Sequence, residues 1–280
     1  MQRPQTIQIF LPNGSPRGIK IAEITNRVVK AILIPRNQLG NAAKRREVKN
    51  VGLYFLFGTS DESTKPLVYI GEAEDCWDRL GKHNRKKEFW SHAVVIVSKI
   101  SAFTKAHVKY LEHLAINEAQ EINRFKMENG QTSNAPFITE SMEADLLDSF
   151  ETIKILLSTL GYSIFESLDK KVISKKEVLY LTGRGIKAEG DLIDDGFVIF
   201  KGSQAKLKTA PSCHERIINL RKRLIQDGVL EVHESFLLFK ENYPVGSPST
   251  AASIIMGASI NGWLKWKNKQ GKTLDELKRK

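Results

Sequence analysis

The chain alternates short, almost unbroken apolar runs with longer segments in which apolar residues recur every three or four positions. The first kind suits strands and the second suits amphipathic helices. Within residues 6–34, TIQIF and GIKIAEI are strand-like, and the turn formers of LPNGSPRG join them. VVKAILIP predicts a further strand ended by Pro35, and the polar stretch from Asn37 to Asn50 marks a candidate boundary. VGLYFLF alternates too little to be half exposed, so it predicts a strand covered on both faces. A polar link from Gly58 to Pro66 separates it from LVYIGE, and together they predict a hairpin with a long loop. Ala73 to Lys82 has helical spacing with Trp77 and Leu80 inward, and Glu74 or Asp75 stands near its start, where acidic side chains favour the helix dipole. HAVVIVSKI predicts a third strand.

From Thr104 to Phe125 the stripe Val108, Leu111, Ala115, Ala119, Ile122 predicts a strong helix. A second follows from Met142 to Leu160, with Gly161 placed to end it. Residues 162–175 read as a linker. Beyond it, EVLYLTGRG and DGFVIFKGSQA are strand-like, and VLEVHESFLLFKENY reads as a hairpin. Ser212 to Glu215 has capping-box spacing and opens a basic helix through Gln226, closed by Gly228. Ser247-Pro248 begins another helix, ended by Gly257, and Thr273 to Glu276 caps a last one. The pattern is α+β: a β-rich N-terminal lead-in over 1–46, a central domain over 47–165 and a smaller α+β domain over 175–280.

Composition changes this picture in one respect. Lysine and arginine total 43 against 32 aspartates and glutamates, a net charge of +11. Such a chain attracts polyanions, and nucleic acid is favoured over a membrane surface because no basic amphipathic helix with a bulky aromatic face is present. No run approaches the roughly 18 apolar residues that a membrane span needs. MQRPQTIQIF lacks the pattern of a signal peptide, and Cys76 and Cys213 have no metal or redox spacing, so a reduced, cytoplasmic protein is expected.

Two features carry candidate chemistry. Arg79 and His83, four residues apart on a helix, share one face. Glu112 falls on the apolar stripe of its helix, where a carboxylate facing a packed sheet is costly unless paired or bound to metal. At such a position a structural ion pair or a carboxylate reaching water is the ordinary alternative.

Gly52-Leu53-Tyr54, then Tyr69-Ile70-Gly71, then Arg79, His83 and a helix bearing Glu112 resemble, in that order, the GIY-YIG nuclease family. The resemblance covers about residues 50–135 and extends to the helix through Leu160. It departs in leucine for isoleucine at position 53 and in the 14 residues between Tyr54 and Tyr69, more than the family usually has. It implies a three-stranded antiparallel sheet flanked by helices, and a late site asparagine for which Asn129 is the candidate and Asn134 the alternative. Residues 175–280 resemble a domain of uncharacterised function attached to some GIY-YIG proteins.

The activity so implied is metal-dependent endonucleolytic hydrolysis of DNA, with RNA not excluded. The catalytic set is then Tyr54, Tyr69, Arg79, His83, Glu112 and Asn129. Glu112 would hold one Mg²⁺ or Mn²⁺, a hard ion that keeps most of its water. Arg79 would clamp the phosphate through its planar fork of donors. A tyrosine, Tyr54 by family resemblance, would activate the attacking water, which requires nearby positive charge to lower its pKa from about 10. His83 would shuttle a proton, partner the tyrosine or contact phosphate. Lys82, Arg85, Lys86 and Lys87 would contact the nucleic-acid backbone. Trp90, Trp263 and Trp266 are expected in cores or at domain interfaces before any stacking on bases. The competing readings are a non-catalytic nucleic-acid-binding module on the same fold and a scaffold for acidic proteins.

Overall fold

The computed structural model describes residues 4–130, 134–170, 178–183 and 185–279. The expected strands at Glu177 and Arg184, the linker over 171–175 and the basic terminus at Lys280 lie wholly or in part outside the described residues. The described residues fall into two compact units. One takes in the chain up to Glu166 apart from Glu62–Thr64, and the other those three residues and the chain from Ser167. No described helix is long and apolar enough to cross a membrane.

The first unit is built on a seven-stranded sheet. Its strands are β1 (Ile7–Phe10), β2 (Lys20–Ile24), β3 (Val29–Pro35), β4 (Gly52–Gly58), β5 (Leu67–Ala73), β6 (Trp90–Ser98) and β7 (Lys126–Met127). Their spatial order is β1-β2-β3-β6-β4-β5-β7. The expected hairpin is present, with Tyr54 opposite Gly71, and β6 pairs antiparallel with β4. The sheet does not stop at those three strands, however. β3 pairs along its whole length with β6, so the lead-in continues the same sheet. VVKAILIP is as densely apolar as the central strands because it too is covered on both faces.

The helices of this unit are α1 (Leu39–Ala42), α2 (Cys76–Lys86), α3 (Lys105–Ile122) and α4 (Glu140–Thr159). Helix α2 starts later than the spacing predicts, because Ala73 completes β5 and Asp75 caps the helix through the Asp78 amide. Thr104 and His107 form a capping box on α3, and Asn123 ends it in the left-handed region. Gly161, at φ +95°, follows α4 as expected.

Strand alternation assigns the helices to faces. Leu53, Phe55, Val68 and Ile70 pack with α3 and α4 in one core. Tyr54, Leu56 and Ala73 pack with Cys76 and Leu80 of α2 in another. Part of the expected linker joins the first of these: Ile164 is buried there, and Phe165 meets Phe55 and Phe150 edge-on.

The second unit holds β8 (Leu179–Gly183), β9 (Ile186–Ile193), β10 (Gly196–Ile199), β11 (Gln204–Lys206), β12 (Leu230–Val232), β13 (Phe236–Phe239) and β14 (Tyr243–Val245). They form a four-stranded sheet, β14-β10-β9-β8, and a three-stranded one, β11-β13-β12. Its helices are α5 (Glu215–Gln226), α6 (Pro248–Met256), α7 (Gly262–Lys265) and α8 (Leu274–Lys278). Ser247 caps α6, and Thr273 with Glu276 boxes α8, as expected. Helix α5 differs: His214, not Ser212, is its N-cap, and no side chain caps it.

Candidate active site

The site grows from the pairing of β4 with β5. Tyr54 stands directly opposite Gly71, and Tyr69 opposite Leu56, so the two tyrosines are diagonal neighbours on one face. Diagonal aromatic pairs on a sheet are within reach of each other. Their rings stack at 6.2 Å and 25°. The Tyr54 ring lies over Gly71, where an added Cβ would sit 2.5 Å from Tyr54 Cζ. Glycine at that position is thus a condition for the tyrosine's orientation. Gly52 serves similarly, since a Cβ there would come 2.5 Å from the Ile96 carbonyl oxygen and 3.0 Å from Cys76 Sγ on α2.

Helix α2 brings the remaining groups. Arg79 and His83 project from the same face, one turn apart, onto Tyr54. Arg79 Nε donates to Tyr54 Oη at 3.2 Å, and Tyr54 Oη lies 2.9 Å from His83 Nε2. Tyr69 lies beside both, its hydroxyl bearing on Tyr54 and Arg79, and its ring 4.9 Å from that of His83. A phenol has one proton to donate and two lone pairs. With Arg79 donating to it, Tyr54 completes the network by donating to a neutral His83.

The electrostatics agree with that assignment. Burial pushes the His83 imidazole down to about 4, and Arg79, Lys87 and Lys86 add to the shift. Burial likewise pushes the Tyr54 phenol above its ordinary range, with Tyr69 adding and Arg79 opposing. The hydrogen bond to Tyr54 holds the Arg79 guanidinium above its usual value. The positive charge required of a tyrosine base is present, but burial outweighs it at Tyr54.

Access divides the four. Tyr54 has no exposed surface and His83 only 7 %. Arg79 is exposed and Tyr69 half-buried. Lys87 Nζ caps the Tyr69 ring at 4.6 Å from its centroid. Lys82, Arg85 and Lys86 are exposed on the same helix, and Lys82 pairs with Asp78 at 2.7 Å.

The other expected site residues lie elsewhere. Asn129 binds the backbone of Ile70 in both directions, Nδ2 to the carbonyl at 2.7 Å and the amide to Oδ1 at 3.0 Å. It extends the β5 ladder beyond β7 and fixes the YIG strand. Asn134 is exposed. Glu112 is half-buried on α3, the helix that covers the Leu53–Phe55 face, so it belongs to the layer opposite the tyrosine rings. A phosphate shared with them would be met around the edge of β5, which β7 pairs only at Leu67 and Val68. On that side Glu72 of β5 pairs with Lys105 at 2.8 Å. Among the described residues no three histidine, cysteine, aspartate or glutamate side chains converge. Such a donor set does not suit a closed zinc site, whereas one carboxylate and water suit Mg²⁺.

One residue escaped the sequence reading. Arg36, just after β3, donates to Asn84 Oδ1 and the Asn84 carbonyl at the end of α2, and to the Glu88 and Trp90 carbonyls, all within 2.8–3.1 Å. It also stacks on Trp90. It ties the helix that carries Arg79 and His83 to β6. Nothing in the local pattern links it to residues 48 positions away.

Comparison with known proteins bears on the other unit. Residues 179–278 match the model of a domain of unknown function, DUF4357. No curated protein and no solved structure matches the chain. In the DUF4357 segment Trp266 is fully buried against Phe197 and donates to the Pro248 carbonyl. Trp263 lies under Arg279 at 3.5 Å. Trp90, in the first unit, is also core. The tryptophans are thus used for packing.

Proposed function

We propose that the first unit is a GIY-YIG-type, metal-dependent endonuclease that hydrolyses phosphodiester bonds in DNA. The observation that carries this reading is the hydrogen-bonded cluster of Tyr54, Tyr69, Arg79 and His83, drawn from two strands and a helix and opening on a basic surface. A packing role alone does not call for three polar side chains around one buried phenol.

Arg79, exposed at the rim, binds the scissile phosphate and neutralises charge that builds on its oxygens. Tyr69, the half-exposed phenol, orients the attacking water. Behind it Tyr54 Oη donates to His83 Nε2, and the imidazole, kept neutral by burial and the neighbouring cations, holds the phenol in place and takes no proton from it. Tyr54 is in this scheme the anchor of Arg79, in place of direct contact with water. Lys87, over the Tyr69 ring, adds positive charge beside the bound phosphate. Glu112 is the residue that would hold a divalent cation, which when bound supplies Lewis-acid polarisation and stabilises the leaving oxygen.

The complete burial of Tyr54 favours a second reading, a binding module without turnover. Incubation of the protein with duplex, branched and single-stranded DNA and with RNA, with Mg²⁺ or in EDTA, separates the two. The enzyme reading expects Mg²⁺-dependent cleavage, absent in Glu112→Ala while binding in EDTA persists. Tight, salt-sensitive binding with every substrate left intact in Mg²⁺ and Mn²⁺ would establish the module instead.

A further inference from the structure

The excess positive charge is not centred on the proposed nuclease unit. Residues 167–280 carry 21 lysines and arginines against 13 aspartates and glutamates, whereas residues 1–166 carry 22 against 19. Within the second unit the charge is concentrated on α5, whose sequence ERIINLRKRLIQ holds four cations and one acid. The helix is strongly two-sided. Ile217, Leu224 and Arg221 face the core, where Arg221 is bound by the carbonyls of Ile254, Lys206 and Leu207.

The outward face presents Arg216, Asn219, Lys222, Arg223 and Gln226, all exposed. Arg216, Asn219, Arg223 and Gln226 follow one stripe, and Lys222 flanks it. No acid stands one turn from Arg216 or Lys222 along the helix, so the i,i+4 pairs that usually balance a solvated helix are missing there. The single acid, Glu215, sits in the first turn, where the helix dipole favours it.

We propose that this face of α5 docks in the major groove of duplex DNA, so that the DUF4357 segment supplies a nucleic-acid surface separate from the tyrosine site. A helix of 12 residues is about 18 Å long, and an α-helix fits the roughly 12 Å width of the B-form groove. The A-form groove of duplex RNA is too narrow to admit it. The residue types also fit: three cations for phosphates or guanine, and two amides able to pair with adenine edges. An acidic protein would be met by the cations but gives no use for the aligned amides. A nuclease in the first unit would thereby gain a second hold on its substrate, yet the α5 surface stands or falls on binding alone.

The test is binding of a labelled DNA duplex to the full chain in EDTA over a range of salt concentrations, by fluorescence anisotropy. The triple variant Arg216→Ala/Lys222→Ala/Arg223→Ala is expected to bind at least about ten-fold more weakly, with a salt slope smaller by about 0.9 for each phosphate no longer neutralised. Asn219→Ala/Gln226→Ala is expected to keep the slope and lose discrimination between duplex sequences. All changed side chains are exposed, and unchanged thermal melting checks that the variants fold. Equal affinity and slope in the triple variant would overturn the proposal. So would duplex RNA or heparin binding as tightly as DNA through the same residues. Wild-type cleavage in Mg²⁺ is scored separately: an α5 effect without cleavage removes the nuclease reading alone, and cleavage without an α5 effect removes this one alone.

Discussion

On one face of the seven-stranded sheet Leu53, Phe55, Val68 and Ile70 meet the apolar stripes of α3 and α4; on the other, Tyr54 and Tyr69 meet α2 with their hydroxyls. Residues adjacent in the chain therefore belong to different regimes. Ile70 fills a core, and its neighbour Gly71 exists to leave room for a ring. The long helices leave no exposed surface on Leu53, Phe55, Val68 or Ile70. The shorter, basic α2 leaves Arg79 at the surface and buries His83 beneath it. A polar cluster can thus rest on rigid strands, with an apolar face behind it to carry the stability.

Phe55→Ala breaks the apolar side. It is expected to cost about 3–5 kcal/mol by denaturant unfolding, because a buried ring is lost from a packed core. The change should leave the titration of His83 where it is. Gly71→Ala breaks the other side. The added methyl must displace the Tyr54 ring, with an expected cost of about 1–3 kcal/mol from overpacking. Here the His83 titration, followed by NMR, should move toward the ordinary histidine value as displacement of the Tyr54 ring opens the imidazole to water. If both substitutions shift His83 equally, the two faces are not independent.

The smallest effect is in pH. The His83 pKa is lowered from the ordinary 6.5 to about 4 in the folded chain, so between those values the unfolded state binds more protons. Its contribution is therefore complete above about 6.5 and is lost as pH falls through about 4. Solvent screening reduces it to on the order of 1–2 kcal/mol. The wild-type melting temperature should drop more steeply across that window than that of His83→Gln; parallel curves would show that the imidazole is not held neutral by the fold.

Periodicity made the strands and long helices legible, since each has one apolar repeat over enough residues to be distinctive. It did not reveal how far the sheet extends, because pairing of β3 with β6 is a long-range choice that VVKAILIP and HAVVIVSKI leave open. The i,i+4 spacing of Arg79 and His83 correctly put them on one face. The unbroken apolar run VGLYFLF already placed Tyr54 in a covered strand; what it left open is the register that sets the ring opposite a glycine and under α2. Asn129 could be singled out from the motif order, but its use as a backbone clamp depends on β7 lying beside β5.

The proposed chemistry turns on Arg79 acting as a phosphate clamp anchored by Tyr54. Single-turnover nicking of duplex DNA in Mg²⁺ by wild type and Arg79→Lys tests that most directly. A lysine keeps the charge but loses the planar fork and the Nε bond to Tyr54, so nicking is expected to fall by at least about 100-fold. Equal rates in the two proteins, or no nicking by either, would contradict it.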